Sequence, residues 1–287
     1  MQLPREFSVG VMKLDEVSEL DEWTSAEGWN PGLHDLALAH RLDPEAFIAL
    51  RQADALAGAG TIFRHSPGFG FMGLFIMRKD LRSQGIGRSL WYWRRDALLA
   101  RLAPDAVIGM DGVFDMVPFY TRGGFRFAHR SLRYQGLSPG GARDAAVVAV
   151  DALPAEQLTA FDARHFPCAR PTFLAEWVHQ PQSRAMALVE QGEIRAFGAR
   201  RACRAGFKIG PLFADSVAFA ERLLGALLEG TSGTQIQIDI PEPNDTGLAL
   251  ARAWGLNECF GCARLYLGRD PTLPIQRIFG VTSFEFG

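Results

Sequence analysis

The stretch KDLRSQGIGRSLWYWRRDALLARL, residues 79–102, lies one residue beyond the apolar run GFMGLFIM that ends at Met77. The run reads as a buried strand. A helical pattern is predicted from about Arg88 to Arg101, with Leu90, Ala97 and Leu98 on one face. Between them Arg82, Ser83, Gln84, Gly85, Ile86, Gly87 and Arg88 form a turn from strand to helix. The first backbone N–H groups of a helix have no intrahelical partner, and they carry the positive end of its dipole. Glycines at 85 and 87 let the main chain approach a ligand with no Cβ in the way. The expectation is a main-chain cradle over 82–88 for a pyrophosphate, with Arg82 and Arg88 as countercharge. Two familiar phosphate loops do not fit. No GxxxxGK[ST] string occurs, and Gly85-Ile-Gly87 lacks the third glycine of a dinucleotide fingerprint.

Outward from this loop, strands are predicted at 8–14, 46–52, 55–64, 69–77, 105–110 and 125–134. Helices are predicted from Asp15, over 33–41, and from Asp115 to Gly123-Gly124. The segment QGLSPGGARD, residues 135–144, is rich in Gly, Pro and Ser, has no hydrophobic period, and reads as a linker. Beyond it the order β-α-α-β-β-β-α-β-α-β repeats with almost no sequence identity. The final strand is placed at 256–267. The chain reads as an internal duplication, α/β in class, with units at 1–137 and 145–287.

Composition narrows the partners. The 287-residue chain carries a net charge of −2, which argues against nucleic acid as an obligatory partner. No apolar stretch approaches the length that spans a bilayer. The first residues lack the pattern of a signal peptide, so a cytoplasmic address is expected. Cys259 and Cys262 form C-F-G-C, but no second ligand pair stands at matching spacing, and no metal is expected.

Arg82-x-x-Gly85-x-Gly87, after a strand and before a helix, resembles the acetyl-coenzyme A loop of the GNAT superfamily of N-acetyltransferases. Tyr120-Thr-Arg-Gly-Gly-Phe125 resembles the family's Y-x-x-x-G-F ending. The segments EGWNPG (27–32), DGV (111–113), KIGPLFAD (208–215) and IDIPEPN (238–244) resemble a bacterial subgroup with two tandem GNAT-like domains, the second divergent. The resemblance implies a mixed, mostly antiparallel sheet flanked by helices in each unit. It also implies acetyl-CoA as co-substrate, held by the main chain of Phe75, Ile76 and Met77 and by the 82–88 loop. A splay between the 69–77 strand and the one near 107–111 would admit the thioester. Transfer would be direct, from acetyl-CoA to the primary amine of a small molecule.

By the same resemblance Tyr120 is expected to be the acid that protonates the leaving thiolate. Asp111 is either a group that binds or deprotonates the amine, or a turn residue in Asp-Gly. Glu27 and Asp35 flank a loop where such enzymes place acceptor-binding groups, and Trp29 is positioned to stack on a cationic amine. In the second unit no R-x-x-G-x-G follows Lys208–Leu212, and Ala251 stands where Tyr120 does. One acetyl-CoA site per chain is therefore expected, in a monomer or homodimer. The competing readings are an acyl-CoA-binding sensor without turnover and an acetyltransferase acting on a protein amine.

Overall fold

The structure, a computed structural model, describes residues 3–287. The first half runs β1 (Phe7–Val11), α1 (Leu14–Ala26), α2 (Asp35–Leu42), β2 (Phe47–Gln52), β3 (Ala55–Ser66), β4 (Phe69–Met77), α3 (Ile86–Ala100), β5 (Val107–Gly112), α4 (Val117–Arg122) and β6 (Arg126–Leu137). The second repeats that order with β7 (Val147–Ala149), α5 (Ala155–Asp162), α6 (Pro171–Val178), β8 (Ser183–Glu190), β9 (Glu193–Ala202), β10 (Phe207–Ala214), α7 (Val217–Leu227), β11 (Gln235–Pro241), α8 (Asp245–Ala253) and β12 (Asn257–Leu267). A short strand, β13 (Ile278–Gly280), has no counterpart in the first half.

Strand alternation sorts the first half into layers. Side chains at successive strand positions face opposite ways. Phe47 and Ala49 therefore pack with Leu20, Leu36 and Leu38 under α1 and α2, while Ile48 and Leu50 pack with Leu90, Trp91 and Leu98 of α3. The first of these clusters also takes in Phe173, Trp177 and Phe286, so the halves share a core.

All thirteen strands join one sheet in the order β1-β2-β3-β4-β5-β12-β6-β11-β10-β9-β8-β7, with β13 beside β10. Among the described residues the only parallel pairs are β4–β5 and β10–β11, which are equivalent positions in the repeat. The halves exchange their last strands. β12 of the second half lies against β5 of the first, and β6 of the first lies against β11 of the second. β12 and β6 pair with each other at the centre.

Two buried ion pairs hold the exchange in register. Arg264 on β12 stands opposite Asp111 on β5, and its Nε and Nη2 each donate at 2.7 Å to one oxygen of the carboxylate. Arg133 on β6 stands opposite Asp239 on β11, donating at 2.7 and 2.9 Å. The repeat makes β5 equivalent to β11 and β6 to β12, so the two pairs are copies of one another. Bidentate geometry is what makes a buried guanidinium–carboxylate pair tolerable, because both partners are fully hydrogen-bonded as they leave water. Asp239 is only 1% exposed.

The parallel pairs set up the next difference between halves. β10 and β11 are paired only from Phe207↔Ile236 to Ile209↔Ile238. Where they part, β13 lies antiparallel to β10, and Val281 N–H donates to Asp239 O at 2.8 Å. The gap in the second half is thus filled by the chain itself. β4 and β5 also part, from the residue after Met72↔Met110, and among the described residues no strand fills that gap.

Candidate active site

The parting of β4 and β5 opens a cavity of about 520 Å³. β4 continues to Met77 and β5 to Gly112, and their upper parts form facing walls. Leu74 has φ of 51°, and the register with β3 shifts between Ala59 and Thr61, so β4 carries a bulge where the parting begins. A bulge bends its strand and re-aims the residues beyond it. Leu74, Phe75, Ile76 and Met77 all line the cavity.

The 82–88 loop stands at the mouth. Ser83 and Gly85 have left-handed backbone, φ of 64° and 81°, and Gly85 is the N-cap of α3 with no side chain capping it. Within the described residues the N–H groups of Gly85, Ile86 and Gly87 find no acceptor. Successive unpaired amides at a helix N-terminus are a site for an anion. In the second half the equivalent helix, α7, is closed by its own N-cap: Ser216 Oγ accepts from Phe219 N–H at 3.4 Å.

Arg82, Ser83, Gly85, Gly87 and Arg88 line the cavity. Arg82 donates to Met77 O at 2.9 Å and forms an ion pair with Glu27 at 2.6 Å. That hydrogen bond holds the Glu27 carboxyl below its ordinary range. The pair ties the 27–32 loop to the anion loop and consumes the countercharge expected of Arg82. Arg88 has no ion pair among the described residues. The Gln84 amide donates to Asp80 O at 2.6 Å, and Ile86 is buried with Leu81 and Leu90, so both shape the loop and neither side chain lines the cavity.

Tyr120, on α4, reaches the cavity from the β5 side and is 4% exposed. Its ring stacks on Trp91 with centroids 5.8 Å apart. Burial pushes its pKa up to about 12, against a smaller opposing effect of Arg94. A phenol so placed keeps its proton across the physiological range and can donate it to a stronger base that forms beside it.

Asp111 reaches the cavity wall from within β5, but both its oxygens are engaged by Arg264. Burial opposes the charge on Arg264, and the Asp111 carboxylate outweighs it, holding the guanidinium above its ordinary range. Asp35 is a correction. It is fully buried, accepts from Gly32 N–H at 2.9 Å, pairs with Arg201, and does not line the cavity. The loop needs a buried anion to pin it to β9, and Asp35 supplies it. Trp29 does line the cavity, and its carbonyl accepts from Arg133 and from Lys208.

Several lining residues were not singled out in the sequence. Arg94, on the buried face of α3, donates to Thr61 O and Gly73 O at 2.5 and 2.6 Å, and its Nε and Nη1 have no partner. Its signal was an arginine four residues from both Leu90 and Leu98, on the apolar face. Arg133, Phe260 and Cys262 come from the exchanged strands, and Phe284 and Glu285 from the segment after β13. No group of His, Cys, Asp and Glu suited to a metal ion occurs among the described residues, and no helix is long and apolar enough to cross a membrane.

A parted parallel strand pair with an uncapped helix N-terminus at its mouth, present in one half of a duplicated α/β sheet, resembles the cofactor cleft of GNAT proteins. Comparisons with known proteins agree. Residues 158–280 match the family model "Acetyltransferase (GNAT) domain", which falls on the half that lacks the R-x-x-G-x-G loop. The chain is 25% identical over 283 residues to the holothin acyltransferase of Pseudoalteromonas sp. (strain SANK 73390), covering 96% of this chain and 92% of that protein. It superposes on an assigned acetyltransferase from Pyrococcus horikoshii with a TM-score of 0.84 at 20% identity, covering 100% of this chain and 98% of that one. A tandem GNAT protein from the clavulanic acid biosynthesis pathway gives a TM-score of 0.62 at 15% identity, covering 92% and 100%. Residues 158–280 match a GNAT acetyltransferase domain, the fold of the whole chain is that of tandem GNAT proteins, and its similarity to an acyltransferase runs along nearly its full length.

Proposed function

We propose that the chain transfers an acetyl group from acetyl-CoA to the primary amine of a small molecule, by direct attack while both are bound. The observation that carries this reading is the cavity between β4 and β5, which runs from the open amides of the 82–88 loop past Tyr120. The loop receives the diphosphate. The main chain of Phe75–Met77, freed from β5, offers hydrogen bonds to the extended pantetheine arm as an added strand would. Tyr120 protonates the departing thiolate, and the cleft supplies much of the rate by holding both reactants together. Holothin acyltransferase, similar along nearly its whole length, acylates holothin by its name, and that similarity supports acyl transfer here.

Residues 1–137 carry the acetyl-CoA part of this site, and residues 145–287 form a divergent GNAT-like half that lends lining residues but has no acetyl-CoA site of its own. The capped α7 and the strand β13 in the second half's gap both support one site per chain. Titration calorimetry of the pure protein with acetyl-CoA is expected to give one site per chain, and thiol release is expected on addition of a suitable amine. Two equivalent sites refute the division of labour, and absence of heat refutes the reading altogether.

A further inference from the structure

At the closed end of the cleft the walls are not built by β4 and β5 alone. Segment 281–287, arriving from the gap it helps fill in the second half, crosses β4 at Gly73, the first residue after the last pair with β5. A Cβ on Gly73 would overlap the carbonyl oxygen of Glu285, so glycine is what lets the segment lie there. His65 Nε2 donates to Phe286 O at 2.8 Å, and Phe286 N–H donates to Ser283 Oγ at 3.0 Å, fixing both sides of Glu285.

Glu285 is 4% exposed, lines the cavity, and has a carboxylate oxygen sealed from solvent with no hydrogen-bond partner. A buried, unpartnered carboxylate oxygen is costly, and such groups persist where a ligand completes them. Of the other charges at this end, Arg94 bonds only the carbonyls of Thr61 and Gly73 and keeps Nε and Nη1 open, and the rest are engaged. Arg133 is taken up by Asp239 and Asp111 by Arg264, while Arg201 and Lys208, at longer range, are held by Asp35 and the Trp29 carbonyl. The remaining wall is aromatic. The Arg133 guanidinium sits 5.5 Å from the Phe260 centroid and 5.2 Å from that of Phe284, with the Trp29 carbonyl on its Nη1.

We infer that Glu285 is the carboxylate that receives the acceptor amine and takes up its proton, and that the acceptor is a monoamine with an aryl body. The inference rests on the acetyl-transfer reading above. A second ammonium, as in a polyamine, would be stripped of water among Trp29, Phe260 and Phe284 with no counterion to meet it, since Glu285 is taken by the first. In the transfer the amine nitrogen bonds to the acetyl carbon, and the proton it sheds goes to Glu285. The C–S bond breaks with its electron pair on sulfur, which takes the phenolic proton of Tyr120. Glu285 returns a proton and Tyr120 regains one through solvent, so that thioester and amine become amide and thiol.

The test uses the full chain, with acetyl-CoA and three amines: benzylamine, tryptamine and spermidine. Wild type is expected to release thiol with benzylamine and tryptamine at least about tenfold faster than with spermidine. Glu285→Gln is expected to lower turnover of tryptamine by about 100-fold or more, while acetyl-CoA affinity and melting temperature stay near wild type. Glu285→Ala is expected to regain turnover with added formate, which a merely structural role would not produce. Gly73→Ala, which displaces the segment without removing an ionisable group, is expected to share the loss with tryptamine. Wild-type turnover by Glu285→Gln overturns the role of this carboxylate. Acetyl-CoA binding without release from either aryl amine overturns the acceptor class and leaves the thioester site standing. No acetyl-CoA binding overturns both.

Discussion

Replacing Asp111 with Asn separates two uses of one carboxylate, a base for the amine and a strut across the strand exchange. In the wild type both oxygens accept from Arg264 at 2.7 Å, and the two side chains are 5% and 0% exposed. Asparagine offers one acceptor and turns an NH2 towards a guanidinium, leaving the charge unneutralised. The only other side-chain bond of Arg264 is a long one to the Tyr266 hydroxyl, 3.4 Å. Breaking one side of such a buried pair costs about 3–5 kcal/mol, a large part of the roughly 5–15 kcal/mol that separates folded from unfolded chains. For a chain of 287 residues the cost corresponds to a fall in melting temperature of roughly 5–8 °C. Thermal unfolding followed by calorimetry measures it. The double variant Asp111→Leu with Arg264→Met removes both charges and is expected to recover most of the loss, since an apolar pair of similar volume is often neutral or better. If Asp111→Asn melted within about 2 °C of wild type while amine turnover vanished, Asp111 would be the base and the strut argument would be wrong.

Tyr120→Phe keeps the stacking on Trp91 and removes the proton, so turnover is expected to fall by about 100-fold with acetyl-CoA affinity changed little; equal turnover would exclude the phenol from the reaction. Because burial raises Tyr120 to about 12, the wild-type rate should not decline from its ionisation between pH 7 and about 10. His65 supplies an acid-side test. Burial, helped by the charge of Arg170, depresses it to about 3. The unfolded chain then binds the extra proton first, so stability is full above the unfolded value near 6.5 and is lost as pH falls from there towards 3. Urea midpoints measured from pH 7 to 4 should fall less steeply in His65→Phe than in wild type; parallel slopes would show that His65 does not contribute.

The element order was legible because each element carries its own signal: the apolar run before the loop, the Gly/Pro linker, and the Gly-Phe and Gly-Leu turns that end α4 and α8. Strand exchange was not legible. Periodicity reports which face of a strand is buried, and β6 and β12 would show the same pattern whichever neighbour they had. The ion pairs that fix the exchange join residues 106 and 153 positions apart. The 82–88 loop was readable because its atoms are contiguous. The far end of the cavity was not, since Trp29, Arg133, Phe260 and Glu285 meet only in three dimensions. Asp35 misled because a carboxylate beside a Gly/Pro loop looks the same in sequence whether it meets ligand or Arg201. Residues 268–287, left without structure in the sequence reading, hold β13 and Glu285.

Exchange of the last strands has a consequence for synthesis on the ribosome. The first half cannot close its sheet until β12 has been made, because β12 separates β5 from β6. A nascent chain that has completed residue 137 therefore has exposed edges on both strands, the kind of surface that chaperones shield. The pocket acquires its far wall later still, when residues 281–287 emerge. A product that stops before residue 281 therefore lacks the wall formed by Phe284 and Glu285.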